Sequence, residues 1–130
     1  MSDEFKIEII KPEQSFLVKE DALEVVVPAF EGEIGILKDH IPIISFLKPG
    51  IITIVSKLNK ENYYIEDGII EFKNNNLSIL TSTIYNILDM DKSIRLNLLK
   101  QAQDELNKEE INDQLRFLAD QKVEVLKSLN

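Results

Sequence analysis

The stretch Val27-Pro28-Ala29-Phe30-Glu31-Gly32-Glu33-Ile34-Gly35-Ile36-Leu37-Lys38-Asp39-His40-Ile41-Pro42-Ile43-Ile44-Ser45-Phe46-Leu47-Lys48-Pro49-Gly50 sets the fold class. Its apolar runs, Ile34–Leu37 and Ile43–Leu47, are β-branched and too short for helices, and turn-forming Gly and Pro bound them. The same pattern extends outward on both sides. Phe5–Ile10, Ser15–Val18 and Leu23–Val27 read as strands before it; Ile51–Ser56, Tyr63–Ile65, Ile69–Phe72 and Leu77–Thr81 read as strands after it. Pro49-Gly50 predicts a type II turn with Gly50 at positive φ. Asp67-Gly68 predicts a two-residue hairpin loop, and Asn74-Asn75-Asn76 tolerates left-handed backbone. Strands this short and this regularly spaced indicate an antiparallel sandwich or barrel.

The pattern stops near Leu88. All four glycines and all four prolines lie before residue 70, and the chain from Asp89 onward is rich in helix formers. The charge is also uneven, with a net of −6 over residues 1–88 and −2 over 89–130. Two apolar stripes at helical spacing follow. One is Ile94, Leu98, Leu99, Ala102 and Leu106; the other is Ile111, Leu115, Leu118, Ala119, Val125, Leu126 and Leu129. On one unbroken helix they would face about 160° apart. A turn around Asn107–Glu110, with Asn107 and Glu110 as a capping box, lets both stripes bury together through contacts such as Leu98 and Leu118. The expected fold is therefore a β-sandwich domain over residues 1–88 followed by an antiparallel two-helix hairpin over 89–130. No Gly or Pro enforces the break, so an extended helix stays chemically open.

Several strands carry consecutive apolar residues: Val25-Val26-Val27, Ile43-Ile44, Ile51-Ile52 and Ile69-Ile70. A sandwich with solvated outer faces alternates. Sheet-end crowding and a covered outer face both account for the departure. The C-terminal helices or another subunit would be the cover.

The inventory for bond chemistry is thin. The 130 residues include no cysteine and one histidine, which removes disulfides, thiol nucleophiles and Cys- or His-rich metal centres. A net charge of −8 opposes a phosphate backbone, and Tyr63, Tyr64 and Phe72 lie among acidic residues, so no nucleic-acid partner is expected. His40 could pair with Ser45 and an acid, but no nucleophile elbow or oxyanion loop accompanies it. Glu31 and Glu33 read as an exposed acidic loop, and Gly32-Glu33-Ile34-Gly35 lacks the residues of a phosphate cradle. No cofactor and no metal are expected. The acidic N-terminus does not resemble a secretory or mitochondrial leader, and the Ile41–Val55 region is too broken to span a bilayer, so a soluble, unexported protein is expected.

The Val27–Gly50 stretch also resembles the signature of the F-type ATP synthase epsilon subunit: Glu-Gly-Glu-x-Gly-x-Leu/Tyr, then His-x-Pro-Leu-Leu, then Leu-Lys-Pro-Gly. Asp67-Gly68-Ile69-Ile70-Glu71-Phe72 is similar to a later strand of that family, and Leu77–Ser82 to its last. The resemblance implies a ten-stranded sandwich followed by two helices. It implies a non-catalytic central-stalk subunit that binds gamma and the c-ring and turns with them, coupling proton flow to ATP synthesis. It places the protein on the cytoplasmic side of a bacterial inner membrane, held there only through the complex. Glu31, Glu33 and His40 then correspond to the loop facing the c-ring, and the outer sheet to the gamma contact.

Some members of that family raise the C-terminal helices along gamma, toward the alpha/beta head, to block ATP hydrolysis, and some bind ATP when the helices are down. The associated motif is Ile/Leu-Asp-x-x-Arg-Ala. Here Leu88 and Asp89 match, while Lys92 and Ser93 stand where arginine and alanine are expected, and Leu99 replaces a further arginine. Without bidentate guanidinium contacts a triphosphate site is not expected, and Asp89 reads as a helix-start residue. The rival readings are a sandwich enzyme built on His40 and a generic adaptor whose hairpin binds another assembly.

Overall fold

The computed structural model describes residues 3–129. Among these residues nine strands come first: β1 (Phe5–Lys11), β2 (Gln14–Ala29), β3 (Gly32–Leu37), β4 (Ile43–Leu47), β5 (Gly50–Ser56), β6 (Lys60–Ile65), β7 (Gly68–Lys73), β8 (Asn76–Leu80) and β9 (Ile84–Asn86). A 3-10 turn, Ile87–Asp89, leads into α1 (Lys92–Leu106) and α2 (Asp113–Ser128).

The strands make two layers. One has the order β3-β2-β5-β6-β9, and the other has the order β4-β7-β8-β1 with the first half of β2 at its far side. Alternate residues point inward, as the pleat requires: Ile7 and Ile9 on β1, Ile70 and Phe72 on β7, Ile52 and Ile54 on β5, all essentially without solvent contact. A fully buried side chain of this size contributes roughly 1.5–3 kcal/mol. All pairings are antiparallel except β1 with β8, which is parallel.

The runs Ser15–Val18 and Leu23–Val27 are one strand, not two. Lys19-Glu20-Asp21 looks like a polar turn, but β2 passes through it while changing partner. It pairs with β1 as far as Phe5↔Ala22, with β5 from Ala22↔Ser56 onward and with β3 from Glu24↔Leu37 onward. Register shifts at this crossing absorb the bend. Counted once in each layer, β2 brings the nine strands to ten sheet positions. The sequence reading also lacks β9, whose three residues pair with β6.

Two turn assignments need correction. Among the described glycines only Gly32 has positive φ, at 127°, so Pro49-Gly50 is not a type II turn. Gly50 begins β5, where a Cβ would lie 2.6 Å from Cβ of Pro28. The glycine is needed for that close approach, not for its φ. Asp67-Gly68 is not a hairpin loop either, because β6 and β7 lie in different layers. The Asn74-Asn75 assignment holds: both residues are left-handed, φ 52° and 59°, and they close the β7–β8 hairpin.

The helices form an antiparallel pair. Arg95 at the start of α1 donates from Nη1 to the carbonyl of Leu129 at the end of α2, 2.7 Å away. The caps differ from the sequence reading. Asn107 closes α1, and Asn112 opens α2 by accepting from the Leu115 amide at 2.8 Å. Asp91, not Asp89, caps α1 by accepting from the Ile94 amide at 2.8 Å. Leu98 buries with Leu126, Tyr64 and Met90 in a second cluster, which Ile51 and Tyr85 edge from the sheet. Leu126 is about two turns beyond the Leu118 that the stripes suggest.

Candidate functional site

The two outer sheet faces differ, and the difference follows from which side chain of each β-branched pair points out. On the β3-β2-β5-β6-β9 layer the outward row Ile51↔Tyr64↔Tyr85 lies under the helical hairpin. Tyr64 is fully buried there and its hydroxyl donates to Glu66 Oε2 at 2.9 Å. Burial, with Glu66 adding to it, pushes the Tyr64 phenol far above its ordinary range, so it stays a neutral donor. The expected cover over consecutive apolar positions is thus present at Ile51.

On the other layer the outward row is Phe46↔Ile69↔Leu80, continued by Ile10 of β1. Phe46 is 63% exposed and Ile44, one step along the same face, 69%. This row forms one wall of a groove of about 630 Å³ that reaches Leu118 of α2, with Phe30 and Leu47 also among its apolar lining and Glu13, Glu66 and Asp67 among its charged lining. Phe30 stacks on Phe117 of α2, ring centres 6.2 Å apart. Asp67 is fixed in this lining. Burial would raise its carboxyl, but hydrogen bonds from the Ser82 hydroxyl and amide and from the Thr81 hydroxyl outweigh that and lower it.

The loop residues singled out from the sequence are not together. Glu31 and Glu33 are exposed at the β2–β3 tip, on the glycine-dependent turn at Gly32. His40 follows the opposite end of β3, about 13 Å further along the strand direction. It is half-buried: its ring meets Phe72 edge-on at 6.0 Å and its Nδ1 lies 2.7 Å from the Ile41 carbonyl. The adjoining Asp39 amide donates to Asn75 Oδ1, and Asn75 Nδ2 donates back to Asp39 Oδ1, tying this loop to the β7–β8 hairpin. His40 therefore sits in a structural joint. Ser45 Oγ donates to the Phe46 carbonyl at 3.5 Å, and no relay from His40 to Ser45 is assembled among the described residues.

The nucleotide motif is likewise occupied by structure. Asp89 ends the 3-10 turn, Lys92 and Ser93 are exposed in the first turn of α1, and Leu99 packs in the second cluster. The Arg95 guanidinium reaches the end of α2. No helix among the described residues is long and apolar enough to cross a membrane.

The model of the ATP synthase delta/epsilon chain β-sandwich domain matches residues 4–87. The chain belongs to the ATP synthase delta/epsilon family. It is 66% identical to the ATP synthase epsilon chain of Pelagibacter ubique, over the full length of both chains. It is 38% identical over 98 residues to the mitochondrial ATP synthase subunit delta of Schizosaccharomyces pombe, covering 74% of this chain and 59% of that one. The fold matches a chain of the Euglena gracilis mitochondrial ATP synthase OSCP/F1/c-ring structure, with a TM-score of 0.76 at 18% identity, covering 99% of this chain and 81% of that one. As a member of the delta/epsilon family the chain is a non-catalytic subunit of ATP synthase, which removes the His40 enzyme from consideration.

Sequence reasoning reaches the outer sheet in general but not Phe46, Ile69 and Leu80 in particular. The signal is the paired residues Ile43-Ile44 and Ile69-Ile70: one of each pair must face out, and register decides which.

Proposed function

We propose that the chain is a rotor subunit of the central stalk, which couples proton flow to ATP synthesis by holding gamma on one sheet face and the c-ring at one tip. The exposed row Phe46, Ile69 and Leu80 carries this reading, since a water-soluble domain gains nothing from leaving such a row open. Gamma would cover it. Glu31 and Glu33 at the β2–β3 tip are the side chains offered to the c-ring. His40, at the other end of β3, is left out of that contact. The complex would then hold the protein at the cytoplasmic face of a bacterial inner membrane without any insertion of its own.

In this reading residues 1–88 are the docking body and residues 89–130 a hairpin whose rise would bring it toward the alpha/beta head and restrain hydrolysis. Replacing Phe46 and Ile69 with serine should leave the isolated protein folded and abolish its co-purification with gamma. Retention of gamma by the double variant refutes the docking face. Alanine at Glu31 and Glu33 should lower the ratio of ATP made to protons passed, while an unchanged ratio refutes the c-ring contact.

A further inference from the structure

We infer that Lys122 is an electrostatic latch that holds the hairpin on the sandwich, so that release of the hairpin depends on ionic strength. Both halves of the chain are acidic, and their docking places three carboxylates around one ammonium. Lys122 Nζ on α2 lies 3.4 Å from Glu105 Oε2 on α1 and 4.0 Å from Glu66 Oε1 at the end of β6. Asp67 adds to the same field, its carboxyl lowered in part by the Lys122 charge. The Lys122 and Glu66 side chains are only 17% and 18% exposed, so water screens this pair less than it screens a surface pair.

The node ties both helices to the end of β6. Glu66 is held in place from behind by the Tyr64 hydroxyl on its second oxygen, and Tyr64 is itself the sheet residue at the centre of the docking cluster. Lys122 thus reads, through Glu66, whether the hairpin lies over Tyr64. Taking away the Lys122 charge leaves Glu66, Asp67 and Glu105 facing one another across the interface, which converts an attraction into a repulsion. Taking away Glu66 cuts the link to the sandwich and keeps the link within the hairpin.

The absence of native cysteine allows a direct test on the full-length protein. Ile51 lies under the hairpin, so a single Ile51→Cys thiol reports undocking through its rate of modification by a small alkylating reagent. In that background K122Q and E66Q should each speed labelling about fivefold at low salt. E105Q should speed it less, and K122R should restore most of the protection. Raising salt should speed the parent and shrink the gap to K122Q. K100Q makes the same charge change on exposed α1 surface, away from the node, and should leave the rate alone. Equal rates in the parent and K122Q, an equal effect of K100Q, or salt-independent labelling of the parent would each overturn the latch. Far-UV circular dichroism of every variant confirms that the sandwich reporting the rate is folded.

Discussion

The sandwich and the hairpin both carry apolar residues enough to bury a face, but they hold together in different ways. Among the described residues the sandwich closes around eighteen buried apolar side chains drawn from both layers. The hairpin cluster has four, and one of them, Tyr64, is supplied by the sheet. The helices are also short: fifteen and sixteen residues are marginal alone in water, so their order is borrowed from the surface beneath them. A core that surrounds its residues is cooperative, whereas a core shared with a neighbour can be given up without loss of the rest. The same chain thus carries a sandwich with its own core and a hairpin whose core is shared with the sheet beneath it.

This contrast can be broken most severely at Phe72. It is 1% exposed and packs edge-on against Phe5 in the middle of one layer. Phe72→Ala should cost about 3–5 kcal/mol and lower the melting of the whole protein, hairpin included. Loss confined to the helices would show that the hairpin does not depend on the sandwich core in this way. Leu126→Ala should cost about 2–3 kcal/mol, but only for the hairpin. Hydrogen exchange in α1 and α2 should then rise sharply while β5 and β7 stay protected, and a matching rise in those strands would erase the distinction.

Capping gives a finer measure. Asn112→Ala removes the acceptor of the Leu115 amide and should loosen α2 by about 1 kcal/mol, whereas Asn107→Ala should change little. The reverse ranking, read from helical ellipticity against temperature, would restore the capping box expected from sequence.

The smallest effect is in acid and belongs to the sandwich. Hydrogen bonds from Lys19 and Tyr63 lower the Glu61 carboxyl, and those from Ser82 and Thr81 lower Asp67 against its burial. A carboxyl lowered by folding contributes stability above its unfolded value and loses it as pH falls through the folded one. Stability should therefore decline below about pH 4, and D67N should flatten part of that decline in urea titrations at several pH values. An unchanged slope would assign the acid sensitivity elsewhere.

Much of this was legible in sequence where a local rule governs. Asn74-Asn75 can take left-handed backbone whatever surrounds it, and the phase of each apolar stripe along its own helix is fixed by helix geometry, although the partner of Leu98 across the pair is Leu126 and not the expected Leu118. What could not be read depends on partners distant in sequence. Lys19-Glu20-Asp21 becomes strand because β1 lies beside it; Gly50 is glycine because Pro28 arrives against it; Phe46 is open because β4 happens to pair with β7. Of the candidate loop, Glu31 and Glu33 were placed by their turn, while the half-burial of His40 comes from Phe72 and could not be seen from its neighbours. Asn107 and Asn112 are equivalent by composition, and only the length of α1 chooses between them.

The shared strand has a mechanical meaning. Because β2 runs as one covalent chain from the Phe5↔Ala22 pairing of one layer to the Val26↔Thr53 pairing of the other, the layers cannot slide past each other on side-chain packing alone. A twisting load applied at one face travels along peptide bonds and ladder hydrogen bonds to the other. Yielding would require unzipping one of those ladders, not merely easing methyl groups over one another. In the rotor role proposed above, gripped at a sheet face and turned at a tip, the sandwich would be stiff in shear, with β2 as its tie rod.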